Sequence, residues 1–134
     1  MRVAVRATEE ALIRLLRAGH PLAGDVVDRP EETRLPVFQS VEALPLKNFG
    51  IDGVGRIVLA RGRKDVWFVD IKRKVSKVGV KDGEQFIELR DKLQARYPGQ
   101  KVTGWLVSTS DLDAKAKSLI AEKGCFATGG AAKR

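Results

Sequence analysis

Apolar residues recur every three to four positions in three segments of the chain, which is the spacing of an amphipathic helix. A capping Ser, Thr or Asp precedes the first and third segments, and a glycine or a Pro-Gly pair ends each one. In this interpretation Ser110 or Asp111 caps the third. The pattern predicts helices over residues 8–19, 83–97 and 110–124.

Shorter apolar runs with the β-branched and aromatic residues of strands lie between these helices. The turn "RGRK" joins two of them as a hairpin, and the helix that follows is long enough to be a parallel crossover to the next strand. With "PVFQSV" at 36–41 as a further short strand, the order is α-β-β-β-α-β-α. We therefore expect an α/β fold with a central mixed β-sheet flanked by helices. The strands are predicted at residues 54–60, 65–73 and 101–109, with "CFAT" as a short last strand.

Four of the five prolines lie in residues 20–50, which we expect to be an irregular proline-rich loop region with a functional or partner-binding role. Residues 129–134, "GGAAKR", are expected to be a mobile tail. No linker or internal repeat divides the chain, so residues 1–134 are predicted to form a single domain.

Composition narrows the class of protein. The chain has 134 residues, is 43% hydrophobic and contains one cysteine, which excludes an internal disulfide and a zinc site built on cysteines. No apolar run approaches the length that crosses a bilayer, and the N-terminus lacks a signal-peptide core. We expect a soluble, cytoplasmic protein with no membrane partner.

The positive charge is concentrated in one stretch. The formal net charge is +8, and residues 61–81 hold eight cations against two acids. Such a local field indicates a polyanionic partner, most commonly nucleic acid, although a solvated basic face is the plainer reading. The predicted nucleic-acid-binding residues are Arg61, Arg63, Lys64, Arg73, Lys74, Lys77 and Lys81.

An aspartate lies within the apolar predicted strand at residues 65–73. Asp70 follows Trp67, Phe68 and Val69, and strand alternation puts Lys72 on the same face as Asp70. With a turn at 61–64, the position opposite Asp70 falls near residues 55–56, so Asp52 lies a few residues beyond. Two carboxylates with a backbone carbonyl would suit Mg²⁺ or Mn²⁺, and the lysine would assist attack on a phosphodiester.

The spacing of Asp52, then seventeen residues, then "DIK" at 70–72 resembles the PD-(D/E)xK nuclease superfamily, which has the restriction-endonuclease-like fold. The resemblance covers about residues 50–128. It implies a metal-dependent DNA nuclease that uses Mg²⁺ or Mn²⁺, with Asp52, Asp70 and the backbone carbonyl of Ile71 as metal ligands. Lys72 would be catalytic.

Two further roles follow from that resemblance. A glutamate of the first helix, Glu9 or Glu10, would add a metal ligand, and Gln85 on the helix after the motif would join the catalytic set. The chain departs from the pattern in two ways: no proline precedes Asp52, and the motif acid is Asp rather than the commoner Glu.

Plainer readings stay open for each residue. Asp70 would pair with Lys72 or Arg56, Asp52 would be a turn residue, the two glutamates first-turn acids, and Gln85 a surface group. Two other functions also stay open: a nucleic-acid-binding module of the same fold without catalysis, and a nuclease toxin domain neutralised by an acidic protein partner. A homodimer would be needed if both strands of a duplex are cut.

Overall fold

The computed structural model describes residues 2–18, 36–50, 56–72, 77–108 and 110–129, with side chains described from residue 9 onward. These ranges contain three α-helices and five strands, and a short 3₁₀ helix, Leu46–Phe49, follows the first strand. The elements are α1 (Arg2–Ala18), β1 (Ser40–Pro45), β2 (Arg56–Arg61), β3 (Asp65–Lys72), α2 (Val80–Arg96), β4 (Lys101–Ser108), α3 (Ala114–Glu122) and β5 (Phe126–Thr128).

The five strands form one mixed sheet in the order β1-β2-β3-β4-β5. β1, β2 and β3 pair antiparallel, whereas β3, β4 and β5 run parallel. Helix α2 is the crossover that connects β3 to β4, as the length of that link predicts. The α/β fold with a central mixed sheet and flanking helices is confirmed.

Each face of the sheet carries its own apolar core. On one face, leucines of α1 pack on alternate residues of the strands, including Trp67 and Trp105. On the other face, Phe86 of α2 and Ile120 of α3 belong to a second core together with the intervening strand residues, which include Phe68. The predicted alternation of β3 is confirmed, because Val66 and Phe68 lie in the α2 core whereas Trp67 and Val69 lie in the α1 core.

The centre of the β2–β3 turn lies one residue later in the chain than the predicted turn at 61–64. The Gly62 N–H donates to the Asp65 carbonyl at 2.8 Å, so Arg63 and Lys64 form a two-residue turn. The residue opposite Asp70 is therefore Ile57, and the predicted position near 55–56 is wrong.

Several element boundaries also differ from the prediction, and α1 begins at Arg2, six residues before the predicted start at residue 8. β1 spans Ser40–Pro45, so the expected strand at 36–41 is displaced, and Val37 is 91% exposed. Residues 40–49 are consequently regular, within the segment 20–50 that is predicted to be an irregular loop region apart from the strand at 36–41. The parts of that segment before residue 36, and residues 130–134 of the predicted tail, lie outside the described residues.

Helix α3 begins at Ala114, and neither Ser110 nor Asp111 caps it. The Val78 N–H donates to the Asp111 carbonyl, and the Asp113 N–H donates back to Val78, both at 2.9 Å. This bridge holds the chain extended, so the helix starts only after Asp113, whose carboxylate accepts from the Lys115 N–H at 3.3 Å. Helix α2 begins earlier than predicted, because Asp82 accepts from the Gly79 N–H at 3.1 Å.

None of the helices within the described ranges combines the length and apolar character needed to span a bilayer.

Gly104 generates the first testable prediction. A Cβ at this position would lie 2.4 Å from Cζ of Phe68 and 2.5 Å from Cζ of Phe86, two rings that pack with centroids 5.0 Å apart. We expect Gly104→Ala to lower the free energy of unfolding by about 1–3 kcal/mol, because neither ring has room to move. Urea denaturation measures this. Gly79→Ala, whose added methyl meets no atom within 4 Å, serves as the matched control.

Candidate active site

Asp70 and Lys72 lie at the carboxyl end of β3, on the face of the sheet that α2 covers. Open α/β sheets bind their ligands beyond the carboxyl ends of parallel strands, and β4 runs parallel to β3 at this end. Ile71, between the two residues, packs its side chain into the α1 core on the other face.

The Asp70 carboxylate is almost completely buried. The residue is 5% exposed, and Lys72 Nζ lies 3.4 Å from its Oδ2. Burial raises the pKa of Asp70, and the charge and hydrogen bond of Lys72 lower it only in part, while Asp82 raises it further. The positive charge supplied by Lys72 therefore does not fully offset the cost of desolvating this carboxylate.

An open cavity of about 330 Å³ lies over this ion pair. It is bounded by the end of β3, by the 3₁₀ helix and its following glycine, and by one face of α2. The structure thus brings together three residues that the sequence predicts, Asp70, Lys72 and Gln85. The lining residues are Leu46, Gly50, Asp70, Lys72, Gln85, Glu88, Leu89 and Lys92.

The α2 side of the cavity includes two charged residues that the sequence reasoning missed. Glu88 Oε1 lies 3.5 Å from Lys92 Nζ, and that same ammonium donates to the Gly50 carbonyl at 3.2 Å. The signal for them was present, because positions three and seven after Gln85 share its helix face.

The first-helix glutamates do not join this cavity. Glu9 Oε1 lies 3.2 Å from Nη2 of Arg56, and this ion pair is on the α1 side of the sheet. Asp70 lies on the side that α2 covers. Glu10 is exposed, and neither glutamate lines the cavity. Strand alternation explains this outcome: Arg56 shares a face with Val58, which belongs to the α1 core.

Asp52, Arg73 and Lys74 lie outside the described residues. In the described part of the chain, no group of three or more His, Cys, Asp or Glu side chains is placed to hold a metal ion. The described chain on either side of 51–55 is close to Asp70, since Gly50 lines its cavity and Ile57 is its partner across the hairpin.

The basic stretch divides between the two ends of the sheet. Lys77 and Lys81, both exposed, lie at the start of α2, which follows β3 at the end of the strand that carries Asp70. Arg61, Arg63 and Lys64 lie at the opposite end. At about 3.3 Å per residue, the six positions from Lys64 to Asp70 span about 20 Å. The cations of this stretch that the structure describes therefore do not form one patch.

Solved structures similar to this chain include EndoMS and a repair endonuclease. EndoMS in its apo form superimposes with a TM-score of 0.57 at 19% identity, covering 90% of this chain and 45% of that one. EndoMS in complex with dsDNA gives 0.51 at 21% identity, covering 92% and 44%. A repair endonuclease from Pyrococcus abyssi gives 0.47 at 20% identity, covering 68% and 38%. This chain spans less than half the length of each.

The chain has an α/β restriction-endonuclease-like fold. The fold expected from Asp52 and the "DIK" of residues 70–72 is thereby confirmed at the level of architecture. No protein-family model matches the chain. No curated protein matches it either.

The donor groups in the cavity fit the divalent cation that PD-(D/E)xK nucleases imply. Hard cations such as Mg²⁺ prefer carboxylate and carbonyl oxygens and keep several of their waters, so one or two carboxylates suffice. Asp70 supplies a buried carboxylate whose pKa is raised by desolvation, which is a site where added positive charge is favourable. The cavity leaves space for waters beside it.

Burial of the Asp70 charge yields a stability prediction for the metal-free protein. We expect Asp70→Asn to raise the free energy of unfolding at pH 7 by about 1 kcal/mol, because a neutral isostere removes the uncompensated charge. For wild type, the raised pKa means that the folded state binds more protons than the unfolded state between the ordinary aspartate pKa and the raised one. Stability due to Asp70 therefore increases as pH falls through that window.

Chemical denaturation of both proteins across pH, in the presence of a chelator, measures this difference. The gap between variant and wild type is expected to close toward low pH. A variant that is less stable than wild type at every pH would contradict the assignment of Asp70 as a destabilised charge.

Proposed function

We propose that this chain is a divalent-metal-dependent DNA endonuclease. Asp70, Asp52 and the backbone carbonyl of Ile71 hold Mg²⁺ or Mn²⁺, and Lys72 and Gln85 assist the hydrolysis of a phosphodiester bond. The observation that carries the proposal is the buried Asp70–Lys72 pair on the wall of an open cavity at the carboxyl end of β3.

Two further observations support DNA as the substrate. The architecture is shared with EndoMS, which has been solved in complex with dsDNA. The net charge of +8 favours a polyanionic substrate by steering and by phosphate contacts.

The residues have separable tasks. When bound, the metal polarises a phosphoryl oxygen and lowers the pKa of a coordinated water. Asp70 supplies a fixed negative ligand, since its carboxylate is buried and held by Lys72. The Lys72 side chain, 23% exposed, lines the cavity, and its ammonium stabilises the charge that develops on the attacked phosphate. Gln85, on the opposite wall, hydrogen-bonds the attacking water or a phosphate oxygen.

Asp52 is assigned as the second carboxylate by its place in the chain. It follows Gly50 by two residues, and Gly50 lines the cavity that contains Asp70. The Lys92 ammonium holds the Gly50 carbonyl at 3.2 Å, so the chain leading to Asp52 is attached to α2 beside the cavity.

Cleavage assays test the catalytic assignment. Supercoiled plasmid and linear duplex, branched and single-stranded DNA, with RNA for comparison, are incubated with Mg²⁺, Mn²⁺ or a chelator. We expect DNA cleavage only with metal, and a loss of about 100-fold or more in Asp70→Asn and in Lys72→Met. Asp91→Asn, an exposed acid of α2 paired with Arg90, is the matched control and should retain activity. Undiminished cleavage by Asp70→Asn would disprove the assignment.

Calorimetric titration with Mn²⁺ tests the ligand set separately from turnover. We expect Asp52→Asn and Asp70→Asn each to weaken Mn²⁺ binding about ten-fold or more, because each removes a charged ligand. Glu9→Gln should bind as wild type does, since Glu9 pairs with Arg56 on the α1 side.

A non-catalytic DNA-binding module is the second candidate. It is favoured by the net charge of +8, which a module that only binds DNA would use equally well. Salt-dependent DNA binding by a wild-type protein that has no measurable affinity for Mn²⁺ would select it over the nuclease.

A further inference from the structure

Exposed cations continue from the candidate active site to the far end of the β2–β3 hairpin. Lys92 lines the cavity, and Arg96 lies one helical turn further along α2. The next residue, Tyr97, lies under the guanidinium of Arg61, which leads into the turn. We call this row the cationic track; its members are Lys92, Arg96, Arg61, Arg63 and Lys64, all exposed.

Most of the charge on the track is not neutralised. Lys92 is paired with Glu88, but Arg96, Arg61, Arg63 and Lys64 form no ion pair with any residue in the described ranges. Two acids near the track do not pair with it. Asp91 pairs with Arg90, and Asp65 is half-buried at the start of β3.

Two of the cations are held in place by aromatic rings. The Arg61 guanidinium lies 5.5 Å from the centre of the Tyr97 ring, and the Arg96 guanidinium lies 5.5 Å from that of Phe49. Stacking on a ring leaves edge N–H groups of a guanidinium available to phosphate oxygens, although one of those of Arg96 donates to the Asn48 carbonyl at 3.5 Å. It also reduces the conformational freedom that would be lost on binding.

Hydrogen bonds to its carbonyl oxygens hold the hairpin turn in place. The Gln100 side-chain amide donates to the carbonyls of Gly62 at 2.9 Å and Arg63 at 3.1 Å. The Lys101 N–H donates to the Lys64 carbonyl at 2.8 Å. Three successive carbonyl dipoles that would repel a phosphate are thus used to attach the turn to the start of β4, while the cationic side chains remain exposed.

We propose that the cationic track binds the phosphate backbone of a duplex DNA arm that extends about 20 Å away from the cut site. This rests on the proposed function, because the arm is the continuation of the DNA whose scissile bond lies in the cavity. At about 3.4 Å of helix axis per base pair, the track reaches about six base pairs from the cut.

Salt-dependent binding tests the track. Fluorescence anisotropy with a 30-base-pair duplex between 50 and 200 mM salt is measured in the Asp70→Asn background, which prevents cleavage. We expect Arg63→Gln/Lys64→Gln to reduce the slope of log affinity against log salt by about 1.8 and the affinity in 0.1 M salt about ten-fold. Lys115→Gln/Lys117→Gln on α3 removes the same charge outside the track and should leave the slope within about 0.5 of its parent.

The outcomes separate this inference from the proposed function. An equal loss of slope in the α3 control, or an effect of the turn variant on single-stranded DNA but not on duplex, would overturn the track. An unchanged slope in the turn variant, with wild type cleaving DNA, would also overturn the track and leave the nuclease standing. A track-specific change of slope in a protein that cleaves no DNA would overturn the nuclease and leave the track.

Mapping the cut sites of wild type gives an independent readout. On end-labelled duplex, cleavage within about six base pairs of one end is expected to be at least ten-fold slower than interior cleavage. The duplex arm is then too short to contact the whole track. Arg63→Gln/Lys64→Gln should reduce that difference. Cuts by wild type that are equally fast up to both ends would contradict the proposed reach.

Discussion

The ion pair of Asp70 and Lys72 is the interaction around which the rest of the candidate site is arranged. A carboxylate that is 5% exposed in an apolar strand is costly, and one ammonium at 3.4 Å does not remove the cost, as the raised pKa of Asp70 shows. The site therefore favours a proton or a further cation. Two apolar cores, one on each face of the sheet, supply the stability that allows this unfavourable charge to be kept.

Helix α2 connects the features that matter for function. Its first turn is held by Asp82, its buried face packs Phe86 under Gly104, and its exposed face forms a wall of the cavity. Lys92 attaches the chain before Asp52 to this wall. The C-terminal end of the helix reaches the hairpin turn. One crossover helix thus connects the end of the sheet that carries Asp70 to its far end, about 20 Å away.

The corrections share a cause. Strand alternation correctly puts Asp70 and Lys72 on one face, but it does not tell which helix covers that face, and Glu9 pairs with Arg56 on the opposite face. Counting across a hairpin depends on the turn type, and a two-residue turn moved the partner of Asp70 to Ile57. Cations that are clustered in the sequence do not form one surface patch, because an extended strand separates its ends.

Sequence alone determined what local periodicity and spacing encode: the helices and strands, the parallel crossover, the pairing of Asp70 with Lys72 on one face, and the resemblance to PD-(D/E)xK nucleases. Only the tertiary structure decided what depends on packing between distant segments. It put Gln85, Glu88 and Lys92 around the same cavity as Asp70, paired Glu9 with Arg56, and divided the basic stretch between two ends of the sheet. The reason is that side-chain direction follows from the repeat of each element, whereas contacts between elements follow from how buried faces fit together.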